Sequence, residues 1–282
     1  MARRFSLLNI AGQLIAAAIC ATLPQIASGA ATSGIRPLQS SDKLNAAVLL
    51  QDSAFRPAAL SSQNISPAGS SNPGVHPPNS KPYGMTYGEW SARWWAWVLS
   101  IPASMNPNLD TTGADCSQGQ SGHVWFLAGT FGGPANRTCT IPTGVSVLIS
   151  ILTTAFGAGL GDCLSPGWGN SGPCDVTALR AAAAAQENNP QQLSLTVNGV
   201  PLRDLNAYRS PSPEFAYTLP PDNVLAFLFN FPVPKGTYFP AVADGYWVMF
   251  TPFSPGVHYI DALGVQSDGF TVHVSYTLIV RP

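Results

Sequence analysis

Acidic side chains close to aromatic residues are the feature of this sequence that could do chemistry. Glycoside hydrolases use a carboxylic acid and a carboxylate about 5 to 9.5 Å apart, and aromatic rings beside them stack on the sugar. Each acid of this kind also has an ordinary role in a helix cap, a loop or a turn, so the sequence leaves open whether any two of them meet. The candidate catalytic residues are Glu89, Asp204, Glu214 and Asp244.

Aromatic residues that the core does not explain are candidates for binding a sugar or another flat ligand. Trp95 lies off the main apolar stripe of a predicted helix, close to Arg93, and Trp168 is near the tip of a Gly- and Pro-rich loop. Trp247 follows Asp244 in a predicted strand. The alternative for each Trp is that it packs into or over the core, and the sequence leaves both interpretations open.

Several other kinds of site are disfavoured by motifs that the sequence lacks. It has no G-x-S-x-G elbow of a serine hydrolase, and the Gly-rich stretch 129–133 is followed by neither a helix nor a Lys that would hold a phosphate. No C-x-x-C pair occurs and the four His are far apart, so no metal site and no cofactor are predicted. Lys and Arg are scattered singly, which disfavours nucleic acid as a partner.

Residues 1–30 have the features of a secretory signal peptide. Arg3 and Arg4 begin it, an apolar run extends over 5–23, and small residues lead to an expected cleavage after Ala30. We therefore predict a secreted or periplasmic protein with a Sec-type signal. Removing Arg3 and Arg4 leaves 11 of the 13 basic residues against 14 acidic ones, a net charge near −3.

Cleavage leaves an even number of Cys, which in an exported chain indicates disulfides. Cys20 belongs to the signal peptide, and four Cys remain. They allow three pairings, of which we favour Cys116–Cys139 and Cys163–Cys174 because both close local loops.

Composition divides the rest of the chain in two. Residues 31–82 are rich in Pro, Ser and Gly and are predicted to be a disordered leader, because such a segment cannot bury a core. Residues 83–282 are dense in apolar residues and are predicted to be a single β-rich domain. The apolar stretch 145–160 is too short and too interrupted for a membrane span, so no transmembrane segment is predicted after the signal.

The stretch from Thr86 to Ile101 is predicted to be the first helix of the domain. Thr86 and Glu89 form a capping box, and Pro102 cannot continue the helix. Apolar residues recur with alternating steps of three and four, as on one face of a helix, at Tyr87, Trp90, Trp94, Trp97 and Ile101. We expect most of this stripe to pack on a sheet.

Short apolar or alternating runs between Pro and Gly turns predict strands over most of the remaining domain. Asp175 is a predicted N-cap for a second, surface helix over about 176–188, and Asn198-Gly199 predicts a hairpin turn. The pattern indicates a mainly β protein, an antiparallel β-sandwich of jelly-roll or immunoglobulin-like type with an N-terminal Trp-rich helix. The predicted strands include 123–131, 145–153, 224–229, 243–250 and 270–280.

Three segments resemble those of a group of exported bacterial proteins of unassigned function. They are YGEWSARWWAW, VWFLAGTFGG and DGYWVMFTPFSPGVHYI, the last with the alternating strand that follows it. The resemblance spans about residues 83–280 and implies export and a β-rich domain. It supplies no activity, catalytic set or ligand.

The sequence thus favours an exported, non-catalytic module that binds carbohydrate or a cell-surface component through exposed aromatic residues and loops. One alternative is a polysaccharide-acting hydrolase that uses two of the candidate acids. Another is a structural protein that assembles at the cell surface through β-edges. Whether the protein is an enzyme, and its oligomeric state, are left open.

Overall fold

The computed structural model describes residues 72–158, 160 and 175–282. The predicted signal peptide and most of the predicted leader lie outside the described residues. So do Cys163, Trp168 and Cys174 and therefore the second predicted disulfide.

Strands are the main regular structure of the described chain and form two sheets. The first sheet has the order β1-β3-β7-β6 and the second the order β2-β9-β8-β4-β5. The strands are β1 (Val124–Phe126), β2 (Gly133–Pro142), β3 (Ser146–Gly157), β4 (Gln192–Val197), β5 (Val200–Pro201), β6 (Phe215–Leu219), β7 (Gly236–Phe250), β8 (Gly256–Val265) and β9 (Thr271–Arg281). The α-helices are α1 (Tyr87–Ser100), α2 (Val176–Glu187) and α3 (Val224–Phe229), and short 3₁₀ turns lie at Pro82–Gly84, Ala103–Met105 and Leu205–Tyr208.

The two sheets pack face to face, which confirms the predicted mainly β sandwich with a Trp-rich helix. At Gly264 of β8 an added Cβ would collide with the side chain of Leu152 in β3, so this close approach of the sheets requires glycine. Each sheet also contains a parallel pair, β1 with β3 and β2 with β9. The first arises because the chain passes from β1 through β2 in the other sheet before it returns as β3.

Helix α1 has the N-terminus and the buried face that its sequence predicts. The Thr86 side chain accepts a hydrogen bond from Glu89 N, and the Glu89 carboxylate accepts one from Thr86 N. Trp94 is 1% exposed, and its ring packs edge-on against Trp247 of β7 at 5.4 Å between centroids. The stripe that was predicted to be core is therefore core, and it holds α1 on the first sheet.

Helix α2 lies on the other face of the first sheet. Asp175 caps it by accepting hydrogen bonds from the backbone of Thr177 and Ala178, as predicted. Its apolar residues Leu179 and Ala183 pack with Val242 of β7. Because successive strand residues point to opposite faces, β7 contacts α2 through Val242 and Tyr246 and contacts α1 through Trp247.

The disulfide Cys116–Cys139 is present, as predicted, and joins the long loop after α1 to β2. The hairpin turn at Asn198-Gly199 also matches, with positive φ at both residues.

Three sequence predictions differ from the structure. Residues 224–229, predicted to be a strand, form helix α3, because Asn223 caps its start and Asn230 ends it in a left-handed conformation. The strand predicted over 123–131 is limited to β1. Residues 72–82, assigned to the leader, are tied to the domain by bonds such as Asn72 Nδ2 to Arg203 O and His76 N to Met249 O.

Candidate functional site

No described strand pairs with one edge of β3 along its second half, so this edge is open within the described residues. β1 pairs with β3 only from Ser146 to Leu148, whereas β7 accompanies it on the other side as far as Gly157. A register shift between Ser150 and Leu152 inserts an extra residue, Ile151, at the start of this edge. Such a bulge re-aims the side chains around it. A cleft lies along the edge, between α1 on one side and the second sheet on the other.

The space between the walls of the cleft is about 540 Å³ when the open solvent at its mouth is counted, and its inner part has room for only a few water molecules. Two almost fully buried Trp form its inner wall, two part-exposed Phe contribute flat apolar surface, and amide and hydroxyl side chains contribute hydrogen-bonding groups. Among the described residues, none of the lining side chains is an Asp, Glu, Lys, Arg or His. The lining residues are Trp94, Trp95, Asn108, Gly129, Thr130, Phe131, Ser150, Ile151, Leu152, Thr153, Thr154, Gln266, Phe270 and Val272.

The two indoles of the cleft are held by hydrogen bonds to different walls. Trp94 Nε1 donates to the carbonyl of Leu127 at 2.9 Å, and Trp95 Nε1 donates to Thr153 Oγ1 at 3.1 Å. Thr153 Oγ1 donates in turn to the carbonyl of Asp244 at 2.9 Å. The ring positions are therefore fixed before any ligand arrives, which lowers the cost of binding.

Asn108 supplies the most distinctive polar atom of the cleft. Its neighbour Asn106 ties this loop to the end of α1, because Asn106 Nδ2 donates to Val98 O and Ile101 O. The backbone N–H of Asn108 donates to Asn106 Oδ1 at 3.0 Å. Asn108 Oδ1, however, is buried and has no hydrogen-bond partner. A buried carbonyl oxygen without a partner is costly, and a ligand donor would remove that cost.

Arg137 positions two walls of the cleft from behind. Its guanidinium is buried and donates to the carbonyls of Ala128, Gly129 and Asp110 at 2.7 to 2.9 Å. These bonds draw the loop after β1 away from β3 and fix the loop that carries Asn108. They also explain why the strand predicted over 123–131 ends early.

A buried polar cluster lies at the inner end of the cleft. Glu187, the last residue of α2, is 1% exposed, and its Oε1 accepts a 3.0 Å hydrogen bond from Gln266 Nε2. Its Oε2 is buried without a partner. On the other side, Asp244 pairs with Arg209 at 2.9 Å. Tyr246 OH donates to the carbonyl of Glu187 and holds the end of the helix on β7.

This environment raises the pKa of Glu187 to about 8. The largest cause is burial, which disfavours the charged carboxylate, and the nearby Asp244 carboxylate raises the pKa further. The hydrogen bond from Gln266 and the charge of Arg209 oppose the shift only in part. At neutral pH Glu187 is therefore mainly a neutral carboxylic acid.

The predicted catalytic acids do not meet in the cleft. Glu89 is exposed and caps α1, and Glu214 is exposed ahead of β6. Asp204 is an exposed loop residue with φ near +55°, at the start of the turn Leu205–Tyr208. Asp244 is buried and bonded to Arg209. No two of the four candidates face each other across a space that holds a substrate.

The predicted binding residues have separate locations. Trp95 lines the cleft, whereas Trp247 is 0% exposed and belongs to the core under α1. Arg93 is exposed and lies over the ring of Trp90 at 5.5 Å, outside the cleft lining. Trp168 lies outside the described residues. The structure thus brings one of the described candidates, Trp95, to the cleft.

Sequence reasoning missed Asn108, Gln266 and Glu187 as parts of one site. Asn108 lies in a long loop rich in Asn and Asp, where such residues are typical of turns, and Gln266 follows a strand with no motif around it. Glu187 carried a readable signal, because it continues the steps of four from Leu179 and Ala183 and so falls on the buried face of α2.

Comparisons with protein-family models, with curated proteins and with solved structures find no match. The function must therefore be argued from the geometry of the cleft. Among the described residues, no helix is long and apolar enough to cross a membrane.

Proposed function

We propose that this protein is an exported, non-catalytic module that binds a neutral carbohydrate unit in the cleft along β3. The proposal includes the export predicted from the N-terminal sequence. The Cys116–Cys139 disulfide supports that part, since disulfides persist in oxidising compartments.

The observation that carries the proposal is the uncharged lining of the cleft around the unpartnered Asn108 Oδ1. A sugar ring presents hydroxyl donors on its edge and C–H groups on its face. The Asn108 oxygen accepts a hydroxyl proton, while the part-exposed Phe131 and Phe270 supply apolar surface for the ring face. An anionic or cationic ligand would enter this cleft without an opposite charge to offset its loss of water.

The hydrolase alternative has less support from the same geometry. Glycoside hydrolysis needs two carboxyl groups on either side of the scissile bond. No carboxyl side chain in the part of the chain that the structure describes lines the cleft, and the carboxyls behind it, Glu187 and Asp244, are buried and bonded to protein groups. Binding without hydrolysis is the outcome that these positions favour.

The test is titration of the full-length chain with cellotriose, maltotriose, xylotriose and chitotriose, followed by calorimetry and by the NMR signal of the Trp95 indole N–H. We expect at least one trisaccharide to bind and to shift that signal. Asn108→Ala should weaken binding by about three- to tenfold, the value of one hydrogen bond. It should not unfold the protein, because it removes a buried oxygen that has no partner.

The matched control is Asn136→Ala, which changes an exposed Asn on the outer face of the second sheet. That variant should bind like the wild type. Tyr259→Ala tests binding on the outer face instead, since Tyr259 is 59% exposed there. Loss of binding in Tyr259→Ala but not in Asn108→Ala would show that the ligand binds on the outer face of the second sheet and not in the cleft. Binding of no trisaccharide would remove the proposal, and release of shorter sugars from any of them would favour the hydrolase.

A further inference from the structure

One wall of the cleft is a tight turn that is held by the end of α2. Gln266 and Phe270 line the cleft at the two ends of this turn, and Gln266 N donates to Phe270 O across it. The turn makes four side-chain links to the α2 end and the residues after it, one of them a 3.4 Å bond from Gln186 Nε2 to Asp268 Oδ2. Gln266 Nε2 donates to Glu187, Gln186 Nε2 donates to Gln266 Oε1 at 2.7 Å, and Gln191 Nε2 donates to Ser267 O.

Glu187 holds the central position in this arrangement. It is the buried member of the set, and its second carboxyl oxygen has no partner in the structure. A neutral carboxylic acid fits such a site, because one oxygen accepts from Gln266 and the proton removes the charge from the buried end of α2. A carboxylate in the same place would be a second negative charge beside Asp244.

We propose that Glu187, held as a neutral acid, positions the turn 266–270 and that its deprotonation loosens this wall and weakens binding in the cleft. The effect on binding rests on the proposed function. The effect on the turn does not, because it follows from the links between α2 and the turn alone.

The charged and titratable groups around Glu187 come from three other elements. Asp244 and Tyr246 face it from β7, Arg209 faces it from the loop after Leu205–Tyr208, and Asp268 belongs to the turn itself. Arg209 is already bonded to Asp244, to Ala184 O and to Asn188 Oδ1, so its charge is shared among acceptors. Asp268 adds negative charge on the side of the cleft. The surroundings thus favour release of the turn over a new ion pair when Glu187 loses its proton.

Ionisation of Glu187 should be visible without any ligand. NMR spectra of the full-length wild type, recorded from pH 5.5 to 9.5, should show the backbone amides of Gln266 and Phe270 shifting together with a midpoint near pH 8. Glu187→Gln keeps an uncharged side chain of the same length and should remove this transition. Glu214→Gln is the matched control, because Glu214 is exposed and lies far along the chain from the turn.

The second measurement is the affinity for the four neutral trisaccharides at pH 6 and pH 9. If binding needs the neutral acid, affinity in the wild type should fall by about tenfold at pH 9, since about one molecule in ten remains protonated there. Glu187→Gln should bind with the same affinity at both pH values. A purely structural role for Glu187 would not produce this pH profile or its rescue by Gln.

The outcomes separate the two proposals. Amides of Gln266 and Phe270 that do not shift together near pH 8 in the wild type would overturn the link between Glu187 and the turn, whether or not a sugar binds. A shared transition that Glu187→Gln removes, with no trisaccharide bound at pH 6, would support the link and reject carbohydrate as the ligand. Binding with equal affinity at pH 6 and pH 9 in the wild type would overturn the coupling to the cleft.

Discussion

Helices with different side-chain chemistry pack on the two faces of the first sheet, α1 on one face and α2 beside the second sheet on the other. On one face, α1 packs Trp94 against Trp247 of β7, and each indole N–H of the helix that the structure pairs is bonded to a neutral oxygen. On the other face, α2 ends on a buried acid beside the Arg209–Asp244 pair. Both helices contact the same strand, so the difference lies in the side chains and not in the backbone that supports them.

Because of this difference, the two faces should contribute differently to the free energy of unfolding and to its dependence on pH. Packed apolar surface contributes free energy that depends little on pH, whereas a buried titratable group makes stability follow the proton concentration. The cleft has one wall from each side, since Trp94 and Trp95 of α1 form one wall and Gln266, which is bonded to α2, forms another. We therefore expect the α1 side to set how stable the domain is and the α2 side to set how that stability varies with pH.

The largest effect is expected on the α1 side. Trp94→Ala removes a buried indole and leaves a cavity, so the free energy of unfolding should fall by about 3 to 5 kcal/mol. The loss should be the same at pH 5 and pH 8, as measured by urea denaturation. Arg93→Ala, on the exposed side of the same helix, is the control and should cost well under about 1 kcal/mol. An unchanged melting temperature in Trp94→Ala would contradict the core role of the stripe.

The second effect is expected on the α2 side and depends on pH. The pKa of Glu187 is raised from 4.5 to about 8 in the folded state. Its contribution is therefore fully present below about pH 4.5 and is lost as pH rises towards 8, because the unfolded chain releases the proton first. Between pH 5 and pH 7 this group should lower the free energy of unfolding by about 2 to 3 kcal/mol.

Glu187→Gln should lack that loss, so its stability relative to the wild type should rise by the same amount over the same pH range. Urea denaturation of both proteins at pH 5, 6, 7 and 8 measures the difference and cancels the titration of other groups. If the free energies of unfolding of the two proteins changed with pH in parallel, Glu187 would not be a buried neutral acid. The two faces of the sheet would then not differ in their dependence on pH.

Much of the fold could be predicted because its signals are local. The capping box at Thr86, the Trp stripe, the Asn198-Gly199 turn and the alternation of 270–280 each act over a few residues, and the structure confirms them. Strand pairing is not local, so the parallel pairs of β1 with β3 and β2 with β9 had no signal. The run 224–229 was ambiguous, because a short apolar segment suits either a buried strand or a helical turn. The caps Asn223 and Asn230 favour the helix that the structure contains.

The candidate site was predicted far less completely, for the same reason. Trp95 could be singled out because it lies off the stripe of its helix. Asn108 and Gln266 meet in the cleft from distant parts of the chain, and only the register of β3 and the turn after β8 bring them together. The pKa of Glu187 depends on burial by elements that follow it in the sequence, so its residue type alone predicts an ordinary surface acid.

The smallest change in the free energy of unfolding is expected at the N-terminal caps of the two helices, and it tests whether α1 and α2 also differ there. Thr86 caps α1 and Asp175 caps α2, each by accepting backbone hydrogen bonds at the surface. Changing either residue to Ala should lower the free energy of unfolding by about 1 kcal/mol, the usual value of an N-cap. Equal losses in urea denaturation would mean that the two helices differ only where they are buried. A loss several times larger in Asp175→Ala would show that the start of α2 also helps to hold Glu187 in place, and the boundary of the polar region would then include the whole helix.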